Sequence, residues 1–373
     1  MSKIKVLHTA DIHIAAELSY LGEHCQRRKY EILETFKGIA ELCHKENVEI
    51  CLIAGDLFDS NPAGKSFAPS VFDAISKAPN TRFFYVAGNH DPLDASSPFE
   101  KAELPENLTV FGNEYQTVEV ADLKVRITGK SFAHSAMSVE EMPTMADDEF
   151  VNILLLHADF GAQSDYNPIS SQFVEASGAD YVALGHIHKR TAVEKIGKSY
   201  IAYPGCPEGQ GFDENGSKGV YLGYIDKGSC EMTFVKTAKR LHAIEKIDLS
   251  SAESTVDAKN AVIAFLKEKY GEGFKDNLYK LVLTGAVADP SVIKTEQFTL
   301  MLESEVYFAK IKNRLQTKMD LEALSNEFSL KGIFAKKMLE KISASTDGEK
   351  EKLEKALYLG LKAFDLEVAY DED

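Results

Sequence analysis

Five short stretches in the first half of the chain, residues 4–9, 50–54, 83–87, 153–156 and 181–184, are apolar almost without interruption. Unbroken rather than alternating apolarity is what strands covered on both faces require. Each stretch runs into polar side chains of one kind: Thr-Ala-Asp11-Ile-His13, Ala-Gly-Asp56-Leu-Phe-Asp59, Ala-Gly-Asn89-His90-Asp91, Leu-His157-Ala-Asp159 and Leu-Gly-His186-Ile-His188. Ligand sites in α/β sheets form just beyond the carboxyl ends of strands. Five such ends therefore deliver Asp, Asn and His to one rim. Gly55, Gly88 and Gly185 precede three of the turns. There the chain can turn sharply and approach an ion with no Cβ in the way.

Between the first two strands, residues 28–46 carry Ile32, Phe36, Ala40 and Cys43 near helical spacing, and 66–77 reads as a second helix. Strand alternating with helix predicts an α/β domain with a layered core. More β-rich sequence follows at 124–128, 200–203, 219–225 and 231–236, punctuated by turn signals at 215–219 and 226–228. The pattern changes near 239–241. Three regions are expected: 1–240, a small α/β cap segment over 241–315, and a C-terminal helical element over 316–373. In the last, Phe334, Met338 and Ile342 fall at four-residue spacing, as do Leu353, Leu357 and Leu361, with Phe364 following.

No apolar run in the 373 residues approaches the roughly 20 that a membrane span needs. The N-terminus enters a strand directly, without a signal-peptide pattern. The five cysteines are an odd number with no metal-type pairing, and a reduced, cytoplasmic setting is expected. The net charge of −16 argues against tight unaided binding to nucleic acid, where phosphate neutralisation dominates affinity. Lys189, Arg190, Lys236, Lys239 and Arg240 are the basic residues placed to contact a phosphate backbone, or else to be solvated.

A mixed carboxylate and imidazole shell suits Mn, Fe or Zn better than the all-oxygen shells of Ca or Mg. The expected ligands of two divalent ions are Asp11, His13, Asp56, Asn89, His157, His186 and His188. Ions about 3.5–4 Å apart activate a water and clamp a phosphoryl oxygen. One carboxylate must bridge them, and Asp56 is the expected bridge. His90, next to Asn89, is left free to donate a proton to the leaving oxygen. Asp91 is expected to orient that imidazole through a hydrogen bond. His8 reads as a buried, hydrogen-bonded support, and Asp59 and Asp159 as turn or supporting carboxylates.

The ordered set D-x-H, G-D, G-N-H-D, H and G-H-x-H resembles the calcineurin-like metallophosphoesterase superfamily, over about residues 1–240. The resemblance implies a two-sheet sandwich flanked by helices. Within the superfamily, the opening His-Thr-Ala-Asp-Ile-His, the later Gly-His-Ile-His-Lys-Arg and the stretch 203–209 followed by Phe212-Asp213-Glu214 resemble bacterial DNA-repair exonucleases of the SbcD/YhaO type. That implies one ion on Asp11, His13, Asp56 and His188, and another on Asp56, Asn89, His157 and His186. It further implies manganese as the metal, DNA as substrate, and an SMC-like ATPase partner of the SbcC/YhaN type docking the C-terminal helices. A second copy of the chain is a further candidate partner. Cys206 stands where Ser or Thr is expected. The competing readings are a phosphodiesterase or phosphatase on small nucleotides and a catalytically weak binding subunit that kept the fold, against which the intact ligand set argues.

Overall fold

In the computed structural model, residues 3–138, 144–161, 164–288 and 290–364 are described, so the end of the expected C-terminal region, 365–373, lies outside them. They form two compact units. The first comprises Met1–Ile244, Glu272–Lys280 and Val306–Ala309; the second comprises Glu245–Gly271, Leu281–Glu305 and Lys310–Asp373.

The first unit opens with Ile4–Thr9 (β1), Ile50–Ala54 (β2), Arg82–Val86 (β3) and Leu108–Val110 (β4), then Gln116–Val120 (β5), Val125–Lys130 (β6) and Val151–His157 (β7). A two-residue pair, Asp159–Phe160 (β8) and Pro168–Ile169 (β9), precedes Tyr181–Gly185 (β10), Glu194–Ile196 (β11) and Ser199–Ala202 (β12). Gly219–Asp226 (β13) and Ser229–Lys236 (β14) complete it. Two six-stranded sheets result, in the orders β14-β13-β1-β2-β3-β4 and β11-β12-β10-β7-β6-β5. Strands β1 to β4 are parallel to one another, as are β6, β7, β10 and β12, with antiparallel strands at the edges.

Period-two alternation explains the unbroken apolar runs. Val6, Leu52, Ala54 and Val86 point between the sheets, where they meet Ile127, Ile153, Leu155 and Ala183. Their neighbours Leu7, Cys51, Ile53 and Tyr85 point the other way, onto Ile32, Phe36 and Ile39 of helix Cys25–Lys45 and Val71 and Ile75 of helix Ala68–Ser76. On the second sheet Leu154, Leu156, Val182 and Leu184 pack with Val174 of helix Ser171–Ser177. The layers are helix, sheet, sheet, helix, as the resemblance implied. Both sheets end their parallel strands at the same rim.

Beyond β14, strands His242–Asp248, Leu278–Thr284 and Phe308–Asn313 form a three-stranded sheet. Helix Thr255–Tyr270 buries Ala258, Val262 and Leu266, and Thr295–Glu303 buries Phe298 and Leu302. Helices Leu321–Ser325, Leu330–Ser343 and Asp347–Phe364 share a small core of their own, centred on Ala335, Ile342, Leu357 and Leu361.

Candidate active site

The strand ends bring the expected side chains together. Asp11 and His13 follow β1, Asp56 follows β2, Asn89 and His90 follow β3, His157 closes β7, and His186 and His188 follow β10. Four of these, Asp11 (φ 52°), His13 (φ 49°), Asp56 (φ 49°) and His186 (φ 101°), have left-handed backbone. Such strain in a residue with a side chain costs of order 1–3 kcal/mol, and it clusters at functional sites. Neighbouring loops hold it in place. The Asp11 N–H donates to Gly55 O at 3.1 Å, the His13 N–H to Asp56 O at 2.9 Å, and the His186 N–H to Asp11 Oδ1 at 2.9 Å. Two glycines make the convergence sterically feasible. A Cβ at Gly55 (φ 87°) would sit 2.2 Å from His157 Nδ1, and one at Gly88 would sit 2.1 Å from Asp56 Oδ1.

The hydrogen bonds fix which nitrogens bear protons. His157 Nδ1 lies 3.0 Å from the Ala54 carbonyl, which can only accept, so Nδ1 carries the hydrogen and Nε2 a lone pair. That lone pair faces Asn89 Oδ1 at 2.9 Å and Asp56 Oδ2 at 3.4 Å, two more acceptors. His188 turns its Nδ1 to the Glu214 carboxylate, and His13 turns its Nδ1 to Asp59 Oδ1 at 3.3 Å. Their Nε2 atoms are then left 3.1 Å apart, with His13 Nε2 also 3.5 Å from Asp56 Oδ2. Ring nitrogens and carboxylate oxygens thus converge on one small space, the kind of donor set that holds a divalent cation. The backing of each imidazole by a carboxylate or carbonyl is the usual outer support of a metal-binding histidine.

The electrostatics agree. Burial would lower the pKa of His13, but Asp59, Asp56 and Asp11 together lift it to about 9. His188 is likewise raised, burial being outweighed by Glu214 and Asp11. Glu214, despite burial that works the other way, is held down at about 2 by His188. Asp56 is lowered against its burial by His157, His13 and His90. A rim that pulls protons onto imidazoles this way attracts dications too.

Ligand-capable atoms lie within 4.8 Å of one another in the groups Asp11, His13, His188; Asp11, Asp56, His157; and His13, Asp56, His90. Asp11, His13 and Asp56 each belong to two of them. The donor set, imidazole nitrogen with carboxylate oxygen, fits a divalent transition metal. His186 lies outside these groups, its ring centred 5.2 Å from that of His157 and 4.8 Å from Tyr166.

Asp91 does not orient His90. It is fully buried, and its Oδ2 accepts from the Phe58 N–H at 2.9 Å and the Tyr85 hydroxyl at 2.6 Å, while Oδ1 accepts from the Gly88 N–H at 2.9 Å. Three buried donors turn the carboxylate inward, so that it ties the loop after β2 to the loop after β3. Burial and the nearby Asp56 raise its pKa. The exposed His90 instead sets Nδ1 3.2 Å from the Asp59 carbonyl, and its N–H donates to Asp56 Oδ1 at 3.0 Å. His8 is the buried support expected of it: its Nδ1 pairs with the Tyr181 hydroxyl at 2.9 Å, linking the two sheets, and burial lowers its pKa to about 3. Arg240 is no phosphate contact. It is buried and pairs with Glu31 at 2.6 and 2.8 Å. Lys189 and Arg190 are exposed beside His188, the Arg190 guanidinium stacking 4.0 Å from the Phe234 ring. Glu214, 26 residues from His188, is the supporting group that no spacing in the sequence signals.

Comparison with known proteins fits this geometry. The chain is 26% identical over 270 residues to the uncharacterized metallophosphoesterase YhaO of Bacillus subtilis, covering 68% of this chain and 65% of that one. It is 25% identical over 272 residues to the DNA double-strand break repair protein Mre11 of Methanopyrus kandleri, covering 65% of this chain and 59% of that one. With the SbcD component of the nuclease SbcCD of Staphylococcus epidermidis it shares 27% identity over 281 residues, 65% of this chain and 72% of that one. The chain thus spans less than two thirds of the length of the first two relatives. The model of the calcineurin-like phosphoesterase family matches residues 4–190, half of the chain, from β1 through His188, and the chain is therefore a member of the calcineurin-like phosphoesterase family.

Proposed function

We propose that the protein is a Mn-dependent phosphodiesterase acting on DNA, an exonuclease working in DNA repair with an SMC-like ATPase. The observation that carries the hydrolytic part is the convergence of the His13, His188 and His157 Nε2 atoms with the Asp56 carboxylate. Asp11, His13, Asp56 and His188 would hold one ion, and Asp56, Asn89, His157 and His186 the other. When bound, two divalent ions supply an activated water and a clamp on the phosphoryl oxygens. In this reading His90, its Nδ1 set 3.2 Å from the Asp59 carbonyl, serves the leaving oxygen as general acid. Similarity to Mre11 and to the SbcCD nuclease supports DNA as substrate. The net charge of −16 favours the second reading, a phosphodiesterase on small nucleotides.

Labelled linear DNA and a chromogenic phosphodiester, each incubated with Mn²⁺ or with EDTA, test the proposal. The expected result is that both are cleaved with Mn²⁺ and neither with EDTA, with DNA shortened from its ends. Cleavage of the chromogenic ester alone would favour the small-nucleotide reading.

The raised pKa of His13 gives a pH dependence with a definite sign. Below about 9 its imidazole carries a proton, which must leave before the nitrogen can bind an ion. Apparent Mn²⁺ affinity should therefore fall by about tenfold per unit as the pH drops from 9 to 7. Titration calorimetry at the two pH values, each in two buffers, should also report proton release. Affinity that is flat across this range would show that His13 is not held protonated in the metal-free protein.

The C-terminal helices are the proposed ATPase dock. Their apolar stripes largely cover each other, yet Phe328, Leu330, Ile333, Leu359 and Phe364 remain exposed. Removing the residues beyond about Gln316 should leave a folded, metal-binding phosphodiesterase that no longer co-purifies with its ATPase. Should that truncation unfold the catalytic unit, the docking proposal fails.

A further inference from the structure

The loop between β12 and β13 grips His188 at several points. The Gly205 backbone (φ 70°) packs so tightly that a Cβ there would lie 2.7 Å from the His188 carbonyl oxygen. That oxygen accepts from the Cys206 N–H at 3.3 Å and from Lys218 Nζ at 3.0 Å, and the ring Nδ1 meets Glu214. Glu214 in turn accepts from the Gln210 N–H at 2.8 Å and from Cys206 Sγ at 3.3 Å. The same loop carries a second carboxylate, Glu208.

Glu208 is fully buried, and so is its partner Arg28, at 2.6 Å. The same carboxylate accepts from the Thr35 hydroxyl at 2.8 Å, the Lys239 N–H at 2.8 Å and the Arg240 N–H at 3.4 Å. Arg28 also donates to the Gly209 carbonyl at 2.9 Å. Three separated segments, helix Cys25–Lys45, the 205–214 loop and the backbone at 239–240, thus meet on one carboxylate. A buried ion pair is a poor source of net stability, because desolvation cancels most of the attraction. It is a good source of fixed geometry.

We propose that Glu208 is a positioning residue for the metal centre: it fixes the loop that sets His188 and couples that ligand to the backbone at 239–240. The proposal rests on the two-metal reading above. Its test is Mn²⁺ titration of the full chain, resolved into two binding steps, with circular dichroism and thermal unfolding as controls. Glu208→Gln should weaken one ion by up to the roughly 10–100-fold expected for losing Glu214, the direct partner of His188, and leave the other within about twofold. Glu214→Gln should weaken the same ion, and kcat on a chromogenic diester should recover in excess Mn²⁺. Thr35→Val, which removes a single hydrogen bond to the carboxylate, should act in the same direction by less, and carries the test if Glu208→Gln does not fold. Unchanged affinities, or equal weakening of both ions in step with lost thermal stability, would overturn the proposal. A wild-type chain that binds no Mn²⁺ would overturn the metal reading itself.

Discussion

Asp56→Asn should leave the protein with well under two ions per chain and lower phosphodiester turnover by more than about 100-fold. That figure is a floor, because losing an outer support alone costs about 10–100-fold. Asp56 sits at the centre of the rim. Its Oδ2 lies 3.5 Å from His13 Nε2 and 3.4 Å from His157 Nε2, so a single carboxylate faces both groups of imidazoles. An amide keeps the shape but is neutral, and a neutral group is a poor bridge between two dications. Oδ1 also accepts the His90 backbone N–H, a bond that the amide oxygen of asparagine can keep. Metal analysis after reconstitution, alongside turnover of a chromogenic diester, decides it. Two retained ions with normal turnover would sink the bridging role.

His90→Gln should behave in the opposite way, keeping both ions while turnover falls by roughly 10²–10⁴, the range for losing a general acid. His90 stands beside the expected ligands, with ligand-capable atoms within 4.8 Å of those of His13 and Asp56, and exposure and backbone anchoring distinguish it. His90 is exposed, stands edge-on to His13 with ring centroids 4.7 Å apart, and is held by a backbone carbonyl rather than a carboxylate. Glutamine preserves hydrogen-bonding capacity but cannot deliver a proton at neutral pH. Loss of metal with turnover intact would mean that His90 and Asn89 have exchanged roles.

The layered α/β architecture was legible because both faces of β1, β2, β7 and β10 are covered, which leaves unbroken apolar runs, and because polar ligand types follow each run. The supports of the site were harder to read. The direction of Asp91 depends on donors from Phe58, Tyr85 and Gly88 that only the folded loops bring together. The adjacency of Asp91 to His90 in sequence suggested a hydrogen bond, but neighbouring residues in a turn face different ways. Glu214 and Glu208 serve through contacts spanning 26 and 180 residues, and no local periodicity encodes such distances. The C-terminal stripes were visible as stripes. Their mutual packing was not, because four-residue spacing says that a face is apolar and not what covers it.

The claim at the centre of this account is a two-metal site bridged by Asp56. Crystals grown with Mn²⁺ and measured at the manganese absorption edge test it most directly. Two anomalous peaks about 3.5–4 Å apart are expected, with Asp56 touching both, Asp11, His13 and His188 around one, and Asn89, His157 and His186 around the other. A single peak, or peaks away from Asp56, would contradict it.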